Sequence, residues 1–197
     1  DRRGGGDVVG AGDIARHYLA AAPLVGRAPA IDWLRTSADS AVRNSAYERA
    51  DAELAAALAL VSDDADDDVL AAELLIERGR VWSTFVHEGD GRALLYSAIT
   101  RARRAGRLDL AALAALHVGG VLPMGDASDP SIPALVTDAL DWLVDDEPFL
   151  RAELTARLAE LGYWDLSESA RRALCDQAER FCDAAPPEIR ARVGINR

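Results

Sequence analysis

Small residues recur at matching intervals in two parts of this chain. The first set is Ala38, Ala50 and Ala57, the second is Gly79, Gly91 and Ala98, and the intervals are twelve and then seven residues in both. Helix axes approach closely only where side chains are small, so this pattern is typical of helix-turn-helix repeats. It predicts an all-α stack of antiparallel helix pairs, an architecture whose usual role is to hold partners rather than to turn over substrate.

Composition and charge exclude several kinds of partner. Half of the residues are hydrophobic, yet no run reaches the eighteen or so apolar residues that a membrane span requires. We therefore expect a soluble, cytoplasmic protein with no membrane partner. The formal net charge of -11 disfavours direct binding of nucleic acid by this segment. The only methionine is Met124, which suggests a fragment or a processed product of a larger protein.

Apolar periodicity predicts about nine or ten helices in one domain over residues 13–197, behind a flexible glycine-rich lead-in at residues 1–12. The predicted helices cover residues 13–23, 29–44, 45–61, 69–86, 90–105, 108–118, 133–144, 148–161 and 167–184, with a final turn around 188–193. Asp13 is expected to cap the first helix and Pro23 to end it. Asp165 and Glu168 are expected to form a capping box before the last long helix. The break at 119–130 is either a partner-contacting loop or an insertion between repeats.

Two charged segments lie between these helices. Residues 62–68, SDDADDD, contain five aspartates and are predicted to form a solvated linker that brings negative charge to the next helix N-terminus. They lack the central glycine and terminal glutamate of an EF-hand calcium loop. A cluster of four arginines, Arg101, Arg103, Arg104 and Arg107, is either a solvated helix end or a local basic patch. The first interpretation is favoured because cations complement the helix dipole there.

No motif in the chain predicts catalysis, a metal site or a cofactor. Cys175 and Cys182 lie two helical turns apart, too far for a disulfide, and are interpreted as buried thiols. A hydrolase or lyase centre would need His17, His87 or His117, of which only His87 lies in a predicted turn, at residues 87–91. Without a nucleophile motif or metal-ligand spacing, we expect a protein that is not an enzyme and binds no metal or cofactor.

Four stretches together cover more than half of the chain and carry a resemblance to a known family. They are ARHYLAAAP (15–23), SAYERADAELAAALAL (45–60), GDGRALLYSAITRARRAG (89–106) and FLRAELTARLAELGYWDLSESARRALCDQAERF (149–181). These stretches resemble the tetratricopeptide-like (TPR-like) helical region of large actinobacterial ATP-dependent LuxR-type (MalT-like) regulators. They are also similar to the corresponding region of proteins that pair a nucleotide cyclase with such an ATPase. The resemblance implies a TPR-like α-solenoid.

The TPR signature itself matches this chain only in part. Gly79, Trp82, Gly91, Leu95 and Ala98 fit the second repeat without a gap, whereas the first repeat lacks the aromatic residues. The first repeat begins 41 residues before the second, which equals the 34-residue TPR period plus the seven residues of SDDADDD. This arithmetic supports two true repeats that are separated by an acidic insertion.

The resemblance implies a non-catalytic sensing and protein-interaction arm of a multidomain transcription regulator. In such regulators the phosphate-binding loop lies upstream and the DNA-binding helix-turn-helix lies downstream. Two alternatives are a regulatory region of a nucleotide cyclase with an ATPase module, and a structural scaffold for self-association. The expected partners are a protein or small-molecule effector, other domains of the parent chain, and, in a homo-oligomer, a second copy.

First helices of successive repeats line the concave surface of such a stack, so their side chains outside the core stripe face a shared groove. The predicted groove residues are Arg35, Asp39, Arg43, Arg80, Ser83 and His87. Its arginines are expected to bind a carboxylate of a peptide or small effector through charge-assisted hydrogen bonds. The alternative is an ordinary solvated helix surface, because a one-residue error in helical phase rotates every choice by about 100 degrees.

Overall fold

The computed structural model describes residues 10–85, 88–119, 129–143, 147–182, 187 and 190–191. Within these ranges every regular element is a helix and there is no strand, which confirms the predicted all-α class. The α-helices are α1 (Ala11–Val25), α2 (Ala28–Arg43), α3 (Tyr47–Leu58), α4 (Asp68–Phe85), α5 (Glu88–Arg104), α6 (Leu108–His117), α7 (Ser131–Trp142), α8 (Pro148–Leu161) and α9 (Glu168–Phe181). A single 3-10 turn, Ala65–Asp67, precedes α4.

Each helix packs mainly against the next helix along the chain, and the pair α4 and α5 has the most extensive contact. In addition, α4 contacts α6, and α6 contacts α8. Alternate helices therefore lie side by side in this part of the molecule. This arrangement is consistent with a solenoid-like stack of helix pairs.

The small residues of the two matching sets are buried at helix contacts. Their alanines are no more than 2% exposed, and both glycines are buried as well. Leu54 and Leu74 pack in a cluster shared by α1 to α4, whereas Leu95, Val136 and Leu154 belong to a second cluster that continues to α8. The predicted close approach of paired helices is thus confirmed for both sets.

The predicted helix limits differ from the observed limits by at most three residues at either end. The first helix departs from expectation in detail, because α1 starts at Ala11 and includes the last two residues of the predicted lead-in. Gly10 is its N-cap, and Asp13 lies in the first turn. Pro23 lies inside the helix, which ends at Val25 and has Gly26 as its C-cap with φ +88°. Proline removes one amide donor and crowds the carbonyl four residues before it, which kinks or breaks a helix, but α1 continues for two residues beyond Pro23.

Two other local predictions were wrong. Residues 88–89 were expected in a turn, and 90–91 where that turn meets the next helix, but all four belong to α5, in which Gly91 packs against Ser83 of α4. The N-cap of α9 is Ser167, whose Oγ accepts a hydrogen bond from the amide of Ala170 at 3.2 Å; Asp165 lies too far upstream to reach that amide. Residues 1–9, 86–87, 120–128, 144–146 and most of 183–197 lie outside the described ranges, including most of the break at 119–130 and of the turn at 188–193.

The acidic insertion is not simply a solvated linker. Asp67 and Asp68 are buried, the former 7% and the latter 0% exposed. Asp67 accepts hydrogen bonds from Arg27 at 2.6 Å and from the amide of Ser62 at 2.9 Å. Arg101 donates to Asp68 at 2.9 Å. The insertion therefore binds the start of α2 through Asp67 and the end of α5 through Asp68.

The arginine cluster at the end of α5 is used within the fold. Arg101 and Arg104 bind Asp68, Arg107 pairs with Asp109, and Arg103 lies over the Trp142 ring at 5.1 Å. Because α4 and α5 run antiparallel, the acidic start of one meets the basic end of the other. The cluster is neither a free basic patch nor merely a solvated helix end.

Candidate functional site

A cavity of about 160 Å³ opens beside α2 and α4, where α3 contributes one wall. It is lined by Ala38, Asp39 and Val42 of α2, Leu54 of α3, and Glu77, Arg80 and Val81 of α4. We call this site the α2–α4 groove. It forms because each helix buries an apolar stripe against α3, and the residues at the border of that stripe face the space between α2 and α4.

The groove has an apolar floor and a charged rim. Ala38, Leu54 and Val81 are buried, whereas Asp39 and Arg80 are exposed. Among the residues that the structure describes, neither Asp39 nor Arg80 makes a hydrogen bond or an ion pair. Both side chains are therefore free to bind a group that enters from solvent.

Arg35 lies on the same side of α2 but already has acidic partners. Its Nε donates to Glu77 at 3.3 Å and its Nη1 donates to Glu73 at 3.3 Å, both on α4. Partial burial opposes the charge of Arg35, but the hydrogen bonds and ion pairs with Glu77 and Glu73 outweigh it and raise the pKa of this guanidinium. Arg35 therefore joins α2 to α4, and Arg80 is the arginine left available for a ligand carboxylate.

The remaining predicted groove residues are placed differently. Arg43 lies exposed in the last turn of α2 and does not line the cavity. Ser83 packs toward α5, because a β-carbon built on Gly91 would lie 2.7 Å from Ser83 Oγ. Gly79 and Ser83, four residues apart, share the α5-facing side of α4, so Ser83 is excluded from the groove. His87 lies outside the described residues.

Five lining residues were not predicted as groove residues: Ala38, Val42, Leu54, Glu77 and Val81. Leu54 was missed because only first helices were considered, yet the second helix of the repeat forms part of the floor. Glu77 lies three residues before Arg80, and this helical spacing was a usable signal.

A second, wider depression of about 480 Å³ lies between α1 and α3. Most of its charged side chains are paired within the fold: Arg16 pairs with Asp13, and Arg49 donates to Glu53 Oε1 at 2.9 Å and to Ser37 Oγ at 3.3 Å. Glu53 Oε2 is buried and accepts no hydrogen bond from the described residues. The α2–α4 groove is the better candidate for ligand binding because both of its unpaired charges, Asp39 and Arg80, are exposed and differ in sign.

In the part of the chain that the structure describes, no group of three or more His, Cys, Asp or Glu side chains could hold a metal ion. No helix of this part is both long and apolar enough to cross a membrane. Cys175 and Cys182 are buried thiols that form no disulfide, as predicted.

Comparison with known proteins gives no family assignment. No protein-family model matches the chain, and no curated protein or solved structure matches it either. The function is therefore inferred from the residues of the groove, together with the resemblance noted in the sequence.

Proposed function

We propose that this chain is a non-catalytic sensing and interaction region that binds a partner or effector in the α2–α4 groove. One observation carries the proposal: a cavity of about 160 Å³ whose floor is apolar and whose rim carries two unpaired charges of opposite sign, Asp39 and Arg80. An apolar cavity of roughly 150 Å³ is large enough to hold a benzene molecule in other proteins. The groove is thus large enough for one side chain of a partner or for a small effector.

The lining residues favour binding over catalysis. Nucleophilic and acid-base catalysis requires a nucleophile or base in hydrogen-bond contact with a group that activates it. The lining contains no Ser, Thr, Cys or His, and its two carboxylates and one arginine form no such pair with one another. These groups are suited to orienting a ligand by charge.

The resemblance supports a parent protein of the ATP-dependent LuxR type, in the cytoplasm, in which ligand binding to this arm changes the restraint on an ATPase. A cyclase-containing parent is the alternative. The reading frame of the parent discriminates between them. An upstream GxxxxGK[ST] with a downstream helix-turn-helix supports the regulator, an upstream cyclase domain supports the alternative, and a frame with neither contradicts both.

Binding in the groove is tested with defined ligands and paired variants. The chain is screened against a peptide array and a metabolite collection, and hits are measured by calorimetry. Asp39→Ala combined with Arg80→Ala should weaken a groove ligand about fivefold or more, because both rim charges are lost. The control combines Asp138→Ala in α7 with Arg180→Ala in α9, two exposed charges away from the groove. Hits that both double variants bind as tightly as the unchanged chain would contradict the proposal.

Self-association is a second candidate, favoured by apolar side chains exposed near both ends of the array. Leu24 in the last turn of α1 is 89% exposed, and Trp164 between α8 and α9 is 72% exposed. Val25 beside Leu24 and Tyr163 beside Trp164 are exposed as well, and contiguous exposed apolar surface marks protein contacts. Sedimentation of the intact parent protein tests this candidate: Leu24→Ser and Trp164→Ser should each weaken a dimer, and a monomeric parent protein would exclude it.

A further inference from the structure

The rim charges of the α2–α4 groove differ in sign and lie on different helices. Asp39 belongs to α2 and Arg80 to α4, and they form no salt bridge with each other. The other charges nearby are already engaged, since Arg35 is shared by Glu73 and Glu77. A ligand therefore meets one free carboxylate and one free guanidinium.

This combination selects against ligands with a single charge. A purely cationic ligand would pair with Asp39 but place its charge beside the like charge of Arg80. A purely anionic ligand would pair with Arg80 but place its charge beside the like charge of Asp39. Like charges held close together repel each other. A zwitterion satisfies both groups through charge-assisted hydrogen bonds.

The floor adds a requirement for an apolar group. Ala38, Leu54 and Val81 present only aliphatic surface, and each aliphatic carbon buried there contributes favourable transfer free energy. The volume of about 160 Å³ suits a branched aliphatic side chain. An α-amino acid has its ammonium, carboxylate and side chain on one carbon, which matches two opposite rim charges above one apolar floor.

We infer that the α2–α4 groove binds a free aliphatic α-amino acid as its zwitterion, with the ammonium at Asp39, the carboxylate at Arg80 and the side chain over Val42 and Leu54. This inference rests on the proposed function, since it names the effector class of the same site. It also reverses part of the expectation from sequence: one arginine, Arg80, takes the ligand carboxylate, and Arg35 does not.

The inference is tested by titrating L-leucine into the chain and following the methyl NMR signals of Val42, Leu54 and Val81. Two probes each lack one charge: isoamylamine lacks the carboxylate and isocaproate lacks the ammonium. Leucine should bind more tightly than either probe. Asp39→Asn and Arg80→Gln should each weaken leucine about two- to fivefold, as expected for partly exposed charge pairs. Asp138→Asn and Arg180→Gln serve as controls and should leave leucine binding unchanged.

The two probes make the assignment of each charge specific. Arg80→Gln should not weaken isoamylamine, and Asp39→Asn should not weaken isocaproate. Leucine that binds no more tightly than the probes, or that both variants leave unaffected, would overturn the inference. If leucine gives no methyl shifts while peptides from the array do, the inference fails and the proposed function stands. If no ligand shifts these methyl signals, both fail.

Discussion

Gly79 of α4 lies directly against Leu95 of α5: a β-carbon built on Gly79 would come within 2.7 Å of Leu95 Cγ. Gly91 makes the reciprocal approach from α5, where a β-carbon would lie 2.8 Å from the backbone nitrogen of Ser83. The close α4–α5 contact therefore requires glycine at both positions. The same contact holds α4 in place, and another side of α4 lines the α2–α4 groove.

Gly79→Ala and Gly91→Ala should both destabilise the fold. Overpacking of a tight core contact costs about 1–3 kcal/mol, and Gly91→Ala should cost more because it meets backbone, while Gly79→Ala meets a buried side chain. Urea unfolding measures the loss. The control is Gly10→Ala, where the nearest atom to a new β-carbon is 3.9 Å away. Glycine variants as stable as this control would show that α4 and α5 do not pack this closely.

Asp68→Asn should lower the free energy of unfolding, whereas Asp66→Asn in the same insertion should leave it unchanged. Asp68 is fully buried and paired with Arg101 and Arg104, whereas Asp66 is exposed. Removing the charge of Asp68 leaves Arg104 without its ionised partner and leaves Arg101 with only the exposed Asp63. Thermal unfolding of both variants measures which of them is the less stable. Equal unfolding temperatures would indicate that the insertion is a solvated linker after all.

Stability should fall in acid through the same insertion. Hydrogen bonds from Arg104 and then Arg101 hold the pKa of Asp68 below its usual value, and hydrogen bonds from Arg27 and Ser62 lower the pKa of Asp67. A carboxyl whose pKa is depressed on folding adds stability that is complete above its unfolded pKa of about 4 and is lost as the pH falls through its folded pKa. Urea unfolding between about pH 5 and pH 2 should show this loss, and Asp68→Asn should flatten it. If the free energy of unfolding of the Asp68→Asn variant fell as steeply with pH as that of the unchanged chain, the pairing of Asp68 with Arg101 and Arg104 would be contradicted.

Arg35→Ala should lower the free energy of unfolding, whereas Arg80→Ala should weaken ligand binding. Arg35→Ala leaves Glu73 and Glu77 without their shared cation and should cost about 1 kcal/mol, while Arg80→Ala should change stability by less than about 0.5 kcal/mol. Ligand binding should respond to Arg80→Ala. The reverse pattern, with Arg80→Ala the more destabilising, would mean that Arg80 has a structural partner in solution.

The parts of the fold that local pattern specifies were predictable from the sequence. The matching sets of small residues and the apolar periodicity gave nine helices with limits close to those observed in the described ranges. The role of the acidic insertion was not predictable, because the partners of Asp68 lie 33 and 36 residues further along the chain. In the groove, helical spacing selected Asp39 and Arg80, and both line the cavity, but only the packing of α4 on α5 shows that Ser83 faces away.

The location of the ligand is the central claim, and photo-crosslinking tests it most directly. Photoreactive leucine, which carries a diazirine in its side chain, is irradiated with the chain, and the adducts are mapped by mass spectrometry. The account predicts adducts concentrated within residues 38–42, 54 and 77–81, which excess leucine suppresses and Arg80→Gln reduces. Adducts concentrated on α7 to α9, or spread evenly along the chain and insensitive to leucine, would contradict it.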